Sequence, residues 1–495
     1  VNPGEKIPAD GFIVEGETSV NEAMLTGESR PVEKKEGDEV IGGAINGESA
    51  VTAEVKKVGD DTYLSQVVNM VQKAQESRSR TQDLANRAAL WLTIIALSAG
   101  SITLIFWLVF GKEFVFSLER MVTVMVITCP HALGLAVPLV VAVSTSLAAG
   151  QGLLIRDRSS FERGRNLDAV VFDKTGTLTE GRFGVTNVIP LNEKGGDTLL
   201  MLAASLESRS EHPIAQGIVE EARKREIDYP DPEDFEAIAG KGAVAKIEAS
   251  VVKVVSSGYL EEKNIRIQNS EIEKAAGEGK TVVYLLVDEQ PEGAIALADI
   301  IREESHDALS RLKAMNVQVM MLTGDSESVA HWVARELDLD DYFSEVLPDQ
   351  KAAKIKEVKE RGLTVAMVGD GVNDAPALVE ADMGIAIGAG TDVAMEAADI
   401  VLVRSDPRDV TAIVELSRAT YSKMVQNLWW ATGYNAVAIP LAAGVLYPVG
   451  FMLPPAAGAL VMSLSTVIVA INARLLGRKG EDEDRKGGPN SHHQV

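Results

Sequence analysis

The sequence predicts a multidomain α/β protein with soluble parts joined to membrane helices, and three observations predict it. Residues 88–111, 121–155 and 424–473 contain no Lys, Arg, Asp or Glu, and about 20 apolar residues suffice for a helix to cross a bilayer. Between the second and third of these lies a long polar segment whose short apolar runs end on Gly, Asp and Thr. That is the pattern of strands in a doubly wound sheet. An amino-terminal block rich in Val, Gly and Thr reads as mainly β.

Taken in order, residues 1–75 form this β block, and a helical pattern over 62–87 leads into the membrane. The run 424–473 is long enough for two spans with a turn at Tyr447-Pro448-Val449-Gly450. Four transmembrane helices in two hairpins, 76–155 and 424–474, are therefore expected. Arg80, Arg87, Arg156, Arg158, Lys423, Arg474 and Arg478 flank the ends on one side, which places the polar segments in the cytoplasm. Residues 475–495 are charged and Gly-rich and are expected to be a disordered tail, with His492-His493 a passive part of it. A net charge of −24 argues against nucleic acid as a partner. The single cysteine allows no internal disulfide and fits a cytosolic setting. The chain opens in mid-pattern at Val1, as a portion of a longer protein would.

The chemistry gathers at three strand ends. Strand 170–172 runs into Asp173-Lys174-Thr175-Gly176-Thr177-Leu178-Thr179. Strand 317–322 ends on Thr323-Gly324-Asp325, and strand 364–368 on Gly369-Asp370-Gly371-Val372-Asn373-Asp374. Helical patterns at 328–337 and 349–360 complete the βαβ rhythm, which brings the three turns to one edge of the sheet. An aspartate there can act as a covalent nucleophile toward phosphate. Moving a phosphoryl group onto a carboxylate brings anions together, so hard oxygen ligands for Mg²⁺ and cationic or backbone donors are required. Asp173 and Asp370 are candidate ligands, Thr323 and Gly324 candidate phosphate holders, and Lys351 a point charge. Singly, each has a bland alternative as a loop acid or a solvated helix residue; in this order on three strand ends, they do not. Residues 181–295 form an insertion large enough to be a domain. Within it Gly279-Lys280-Thr281 looks like half a P-loop, but a strand follows where a helix is required, so it reads as a turn.

Asp173 to Thr179 resembles the phosphorylation signature of the P-type ATPases, and the resemblance extends over nearly the whole chain. It implies a HAD-like phosphorylation domain in two parts (156–180 and 296–423) and an α+β nucleotide-binding insertion (181–295). It also implies a partial, mainly-β actuator domain (1–75). Thr26-Gly27-Glu28-Ser29 matches the actuator loop, and Glu28 would position the water that hydrolyses the aspartyl-phosphate. Asn373 and Asp374 complete the third turn, and Thr175 joins Asp173 and Asp370 around Mg²⁺. Glu207, His212, Gly240 and Gly242 are carried over as ATP contacts, although His212-Pro213 also suits a helix N-cap.

Cys129-Pro130-His131 lies mid-membrane. Proline removes a backbone donor and opens the helix ladder, and a soft thiolate beside an imidazole suits copper better than Na⁺, Ca²⁺ or Mg²⁺. This tripeptide, with Gly433-Tyr434-Asn435 and Met462-Ser463-Leu464-Ser465-Thr466, resembles the CPH subgroup of heavy-metal P-type ATPases. Cys129, His131, Met462, Tyr434, Asn435, Ser463 and Ser465 are the implied ligands of the transported ion, although small and hydroxyl residues also pack membrane helices. The implied activity is ATP-driven copper export, with ATP, Mg²⁺, a copper ion, the bilayer and a metallochaperone as cofactors and partners, at the cell membrane. The alternatives are a pump for Ag⁺, Zn²⁺ or Co²⁺, a membrane-anchored phosphatase of the same α/β fold, and a metal sensor. A phosphatase would carry a second acid two residues after Asp173, where this chain has Thr175.

Overall fold

The computed structural model describes residues 1–21, 32–47, 49–59, 62, 65, 80–192, 195–210, 212–238, 241–370, 374–388 and 396–484. The chain divides into two compact units, one of residues 1–167, 398–404 and 409 onward, the other of 168–397 and 405–408.

In the first unit the amino-terminal block is β, as its composition predicts. Strands Asp10–Glu15, Glu39–Val40 and Thr52–Lys57 make one small antiparallel sheet, and Thr18–Asn21, Val32–Lys34 and Ile45–Asn46 a second. Ile13, Val20, Val40 and Val51, from separate segments of the block, close a core with Ile7 and Ala44. The helical expectation over 62–87 lies mostly outside the described residues, and a helix is in place from Arg80.

The membrane helices of this unit are Arg80–Val109, Phe114–Thr128, His131–Gly150, Arg408–Gly433, Asn435–Ala443 and Pro455–Asp484. Among the described residues, three stretches are long and apolar enough to cross a bilayer: Asp83–Val109, Phe114–Gly150 and Pro455–Leu476. The third expected span, which begins at residue 424, does not form one continuous helix, because its ladder is interrupted at Tyr434. Gly433 weakens the helix at that point, and Pro440 has no N–H for the turn before it. The turn expected near Tyr447 is a 3₁₀ turn, Tyr447–Val449, flanked by Gly444 and Gly450 at φ 93° and 80°. The tail begins later than expected: the last helix continues to Asp484, since extending an existing helix costs far less than starting one.

The second unit holds the wound sheet. Its parallel strands lie in the order Asp341–Phe343, Gln318–Leu322, Ala169–Asp173, Val365–Gly369, Met383–Ile387. Such strands are buried on both faces and read as unbroken apolar runs; Val170, Val171 and Phe172 are wholly buried. The register sets Asp173 opposite Leu322 and Phe172 opposite Val368, so all three polar turns leave the same edge. Helices Glu327–Glu336 and Lys351–Glu360 lie close to where their periodicity places them.

The long strands Thr179–Pro190 and Gln290–Ile301 pair with each other and carry the chain out to the insertion and back. There they join four further antiparallel strands, Glu233–Ile238, Gly242–Ile247, Ser250–Ser256 and Thr281–Val287. Helices Gly196–Glu207 and Pro213–Lys224 bring Leu200, Ala203, Leu206 and Ile218 to a core with Val254, Leu285 and Leu297. Gly279 is a turn residue (φ 75°) ahead of strand Thr281–Val287.

Candidate functional site

Asp173 ends the central strand and is 6 % exposed. Lys351, at the start of helix Lys351–Glu360, places its Nζ 2.6 Å from Asp173 Oδ1 and 2.6 Å from Asp374 Oδ1. Oxygens of Asp173, Asp370 and Asp374 all lie within 4.8 Å of one another. Three carboxylates with one ammonium leave negative charge in excess. Burial, with Asp374 adding to it, accordingly pushes the Asp173 carboxyl up to about 7, against the pull of Lys351. Burial and Asp374 raise Asp370 as well. Burial opposes the charge on Lys351, but Asp173 and Asp374 outweigh it and hold that ammonium above the usual lysine range. A concave carboxylate cluster of this kind suits a hard divalent cation. Two glycines make room for it: Gly176 sits at φ 76°, where a Cβ would stand 2.0 Å from Asp370 Oδ2, and a Cβ on Gly369 would stand 2.5 Å from Asp374 Oδ2.

Thr323 is buried at the end of the neighbouring strand, and its hydroxyl donates to Asp325 Oδ2 at 3.1 Å. Gly324 and Thr175 lie exposed on the adjacent turns. A second ion-pair system, which the sequence reading did not single out, braces the base of the site. Lys174 Nζ lies 2.6 Å from Asp325 Oδ2 and 3.2 Å from Asp299 Oδ2. Asp299 also accepts from the Thr179 hydroxyl at 2.6 Å and the Gly181 N–H at 3.0 Å. Arg302 donates to the Gly176 and Thr179 carbonyls. The signal available in the sequence was Lys174 and Asp325 standing inside the two motifs already read; Asp299 and Arg302 carried none.

In the membrane helices, Cys129 and His131 stand on either side of Pro130, both exposed. The Tyr434 hydroxyl donates to the Ile127 carbonyl at 3.1 Å. Asn435 is 3 % exposed, and neither its Nδ2 nor its Oδ1 finds a partner among the described residues. Met462 and Ser465 are three apart and share a side of helix Pro455–Asp484; the Ser465 hydroxyl reaches the Trp430 carbonyl at 3.4 Å. Ser463 is exposed, bonded back to Ala459 O at 3.0 Å. It points about 200° round the helix from Ser465, so the structure does not bring these two serines to one point.

Residues 167–382 match the haloacid dehalogenase-like hydrolase family, and residues 1–72 match the P-type ATPase actuator domain. The chain is 67% identical over 476 residues to the copper-exporting P-type ATPase B of Archaeoglobus fulgidus, covering 96% of this chain and 69% of that relative. It belongs to the heavy-metal P-type ATPases. The probable copper-transporting P-type ATPase B of Staphylococcus epidermidis is 47% identical over 480 residues, 97% of this chain and 71% of its own length. Among solved structures, a zinc-transporting PIB-type ATPase matches with a TM-score of 0.67 and 31% identity, over 96% of this chain and 77% of that one.

For a P-type ATPase the insertion is where nucleotide contacts are sought. Glu207 closes helix Gly196–Glu207, is 7 % exposed, and burial pushes its carboxyl up to about 7. His212 caps helix Pro213–Lys224, its Nδ1 accepting from the Ile214 N–H at 3.3 Å. Gly242 has φ 136°, and a Cβ there would stand 2.0 Å from Val254 O. The last two residues thus have local structural reasons in addition to any ligand role. Glu28, Gly240 and Asn373 lie outside the described residues.

Proposed function

We propose that this heavy-metal P-type ATPase couples ATP hydrolysis, through an aspartyl-phosphate on Asp173, to export of copper ion from the cytosol. One observation carries the chemical half: Lys351 is bonded to both Asp173 and Asp374 beside Asp370. In this reading an Asp173 carboxylate oxygen attacks the γ-phosphorus. The new O–P bond forms as the bridging P–O bond breaks, and the electron pair leaves with ADP. Lys351 pulls Asp173 toward its ionised, nucleophilic form and then faces the incoming phosphoryl oxygens. Thr323 and Gly324 hold those oxygens, Thr323 by turning its hydroxyl away from Asp325. Asp173, Asp370 and Thr175 would hold Mg²⁺, which supplies charge neutralisation at the phosphate; Asn373 and Asp374 support the turn. Glu28 serves hydrolysis of the intermediate, and Glu207, His212, Gly240 and Gly242 serve the nucleotide.

The cargo reading rests on Cys129-Pro130-His131 and on the copper named in the relatives above. Cys129, His131 and Met462 are the first ligands. Asn435, whose amide has no structural duty among the described residues, comes next; Tyr434, Ser465 and Ser463 are weaker. A metallochaperone delivers the ion, and the cell membrane is the site of action. The test is ATP hydrolysis with Cu⁺, Ag⁺, Cu²⁺, Zn²⁺ and Co²⁺ in turn, together with copper uptake into inverted vesicles. Copper-stimulated turnover with uptake is expected. Stimulation by Zn²⁺ or Co²⁺ alone would change the cargo and keep the mechanism, while hydrolysis indifferent to every metal would favour the phosphatase.

A further inference from the structure

The break at Cys129-Pro130 leaves the segment carrying His131 poorly held by its own helix. Pro130 and Pro138 bracket it, and neither has an N–H to give to the preceding turn. The His131 N–H turns to Cys129 O at 2.9 Å instead of to Ile127, four residues back. Carbonyls freed at this depth must be satisfied by neighbouring helices. Arg408–Gly433 and the residue after it reach the broken helix at two points. Before the break, the Tyr434 hydroxyl donates to the freed Ile127 O; after it, Asn427 Nδ2 donates to Ala136 O at 3.0 Å, a carbonyl that also keeps its place in the helix ladder. These two donors stand about 10 Å apart along their helix, two turns, and so hold the broken helix from both sides.

Asn427 is wholly buried and does not act alone. Its Oδ1 accepts from Asn472 Nδ2 at 2.8 Å, and Asn472 Oδ1 accepts from Lys423 Nζ at 2.9 Å. Every bond in this chain points the same way, from an ammonium through two amides to the carbonyl of Ala136. Bonds aligned in series in a low-dielectric interior polarise one another, and a charged head strengthens the first. The surroundings do not ask for polar groups: Met424, Ala431, Val137, Val140 and Val141 pack the same helix contact. Two linked amides among membrane helices, one of them wholly buried, are costly and call for a function, while Lys423 stands at the flanking end of the span.

We propose that Asn427, backed by Asn472 and Lys423, is a positioning residue for the transport site. It fixes the height and turn of the helix start that carries His131, and through Pro130 the placing of Cys129. The identity of the ion rests on the copper reading above; the brace itself does not.

The test uses the full chain in membranes and reads three quantities. Cys129 is the only cysteine in the sequence, so its alkylation by a maleimide, and the protection copper gives it, report on one site without ATP turnover. The second is the copper concentration for half-maximal phosphoenzyme from ATP, with copper supplied as Cu⁺ under ascorbate and as Cu²⁺ without it. The third is label taken from inorganic phosphate with Mg²⁺ present and copper removed by a copper-selective chelator, which reports on the fold around Asp173 without metal at the transport site. For Asn427→Leu the copper concentration at half protection and at half labelling rises about tenfold, the equivalent of one lost hydrogen bond, with label from phosphate kept. Asn472→Leu gives a smaller rise, and Asn427→Gln, which keeps a donor, recovers part of the loss. Unchanged half-points in Asn427→Leu overturn the proposal, as does loss of label from phosphate in the same proportion, which would mean a folding role only. If wild-type Cys129 is protected by another metal and not by copper, the cargo reading falls. The same ratio measured with that metal then decides the brace.

Discussion

Lys351→Met should unmask the charge that this lysine holds in check. Its ammonium lies 2.6 Å from carboxylates on two different strand ends, and Lys351, Asp173 and Asp374 are 7%, 6% and 2% exposed. Removing one partner from a buried ion pair costs about 3–5 kcal/mol, because the other is left desolvated and unpaired. The cost depends on pH with a definite sign. Asp173 is already raised, to about 7, so the stability linked to its protonated form is lost as pH rises through that value. Without Lys351 the carboxyl rises further and the loss above pH 7 deepens. At pH 5.5 Asp173 is protonated in both proteins and only the contact with Asp374 is missed. Thermal unfolding of wild type and variant, without Mg²⁺, should therefore differ by roughly 6–20 °C at pH 8.5 and by clearly less at pH 5.5. Equal shifts at the two pH values, or no shift, would refute the reasoning that the site is a buried, under-neutralised carboxylate cluster.

Glu207→Gln should stabilise at high pH: a carboxyl raised from 4.5 to about 7 contributes stability that is lost as pH rises through 7, on the order of 3 kcal/mol in full. Denaturation at pH 8.5 should show the gain, and at pH 4.5 it should vanish. Gly176→Ala should reduce phosphoenzyme roughly tenfold or more, because alanine is strained at this positive φ and its Cβ would meet Asp370 Oδ2; normal labelling in that variant would argue against the close Gly176–Asp370 approach. Asn435→Leu should keep or raise thermal stability, since no hydrogen bond among the described residues is lost, while abolishing metal-stimulated ATP hydrolysis. A variant that unfolds instead would show that Asn435 has a structural partner.

The parts of this protein most legible in sequence are those where one residue type has one physical use. The apolar runs before Asp173, Thr323 and Gly369 could only be buried strands, and right-handed winding then brought their ends to one edge. What stayed hidden depends on geometry across the chain. Asp299 lies near the end of the strand that returns from the insertion, with nothing local to mark it, yet it anchors Lys174 and Thr179. Asn427 and Asn472 sit in a charge-free run where single amides read as incidental, and their bond to each other spans two helices. Ser463 and Ser465 look like a pair on paper because sequence spacing hides the helical turn that points them apart. At His212 the helix cap that Pro213 suggests is present, whereas the close approach of Gly242 to Val254 O has no local sign in the sequence.

The most direct test of the central claim is acid-stable phosphoenzyme formed from γ-labelled ATP by the membrane-embedded protein and by Asp173→Asn. The account predicts label that appears with copper, is discharged by hydroxylamine as an acyl phosphate must be, and is absent from Asp173→Asn. Equal label in the Asp173→Asn protein, or ATP hydrolysis with no acid-stable intermediate under any metal, would contradict it.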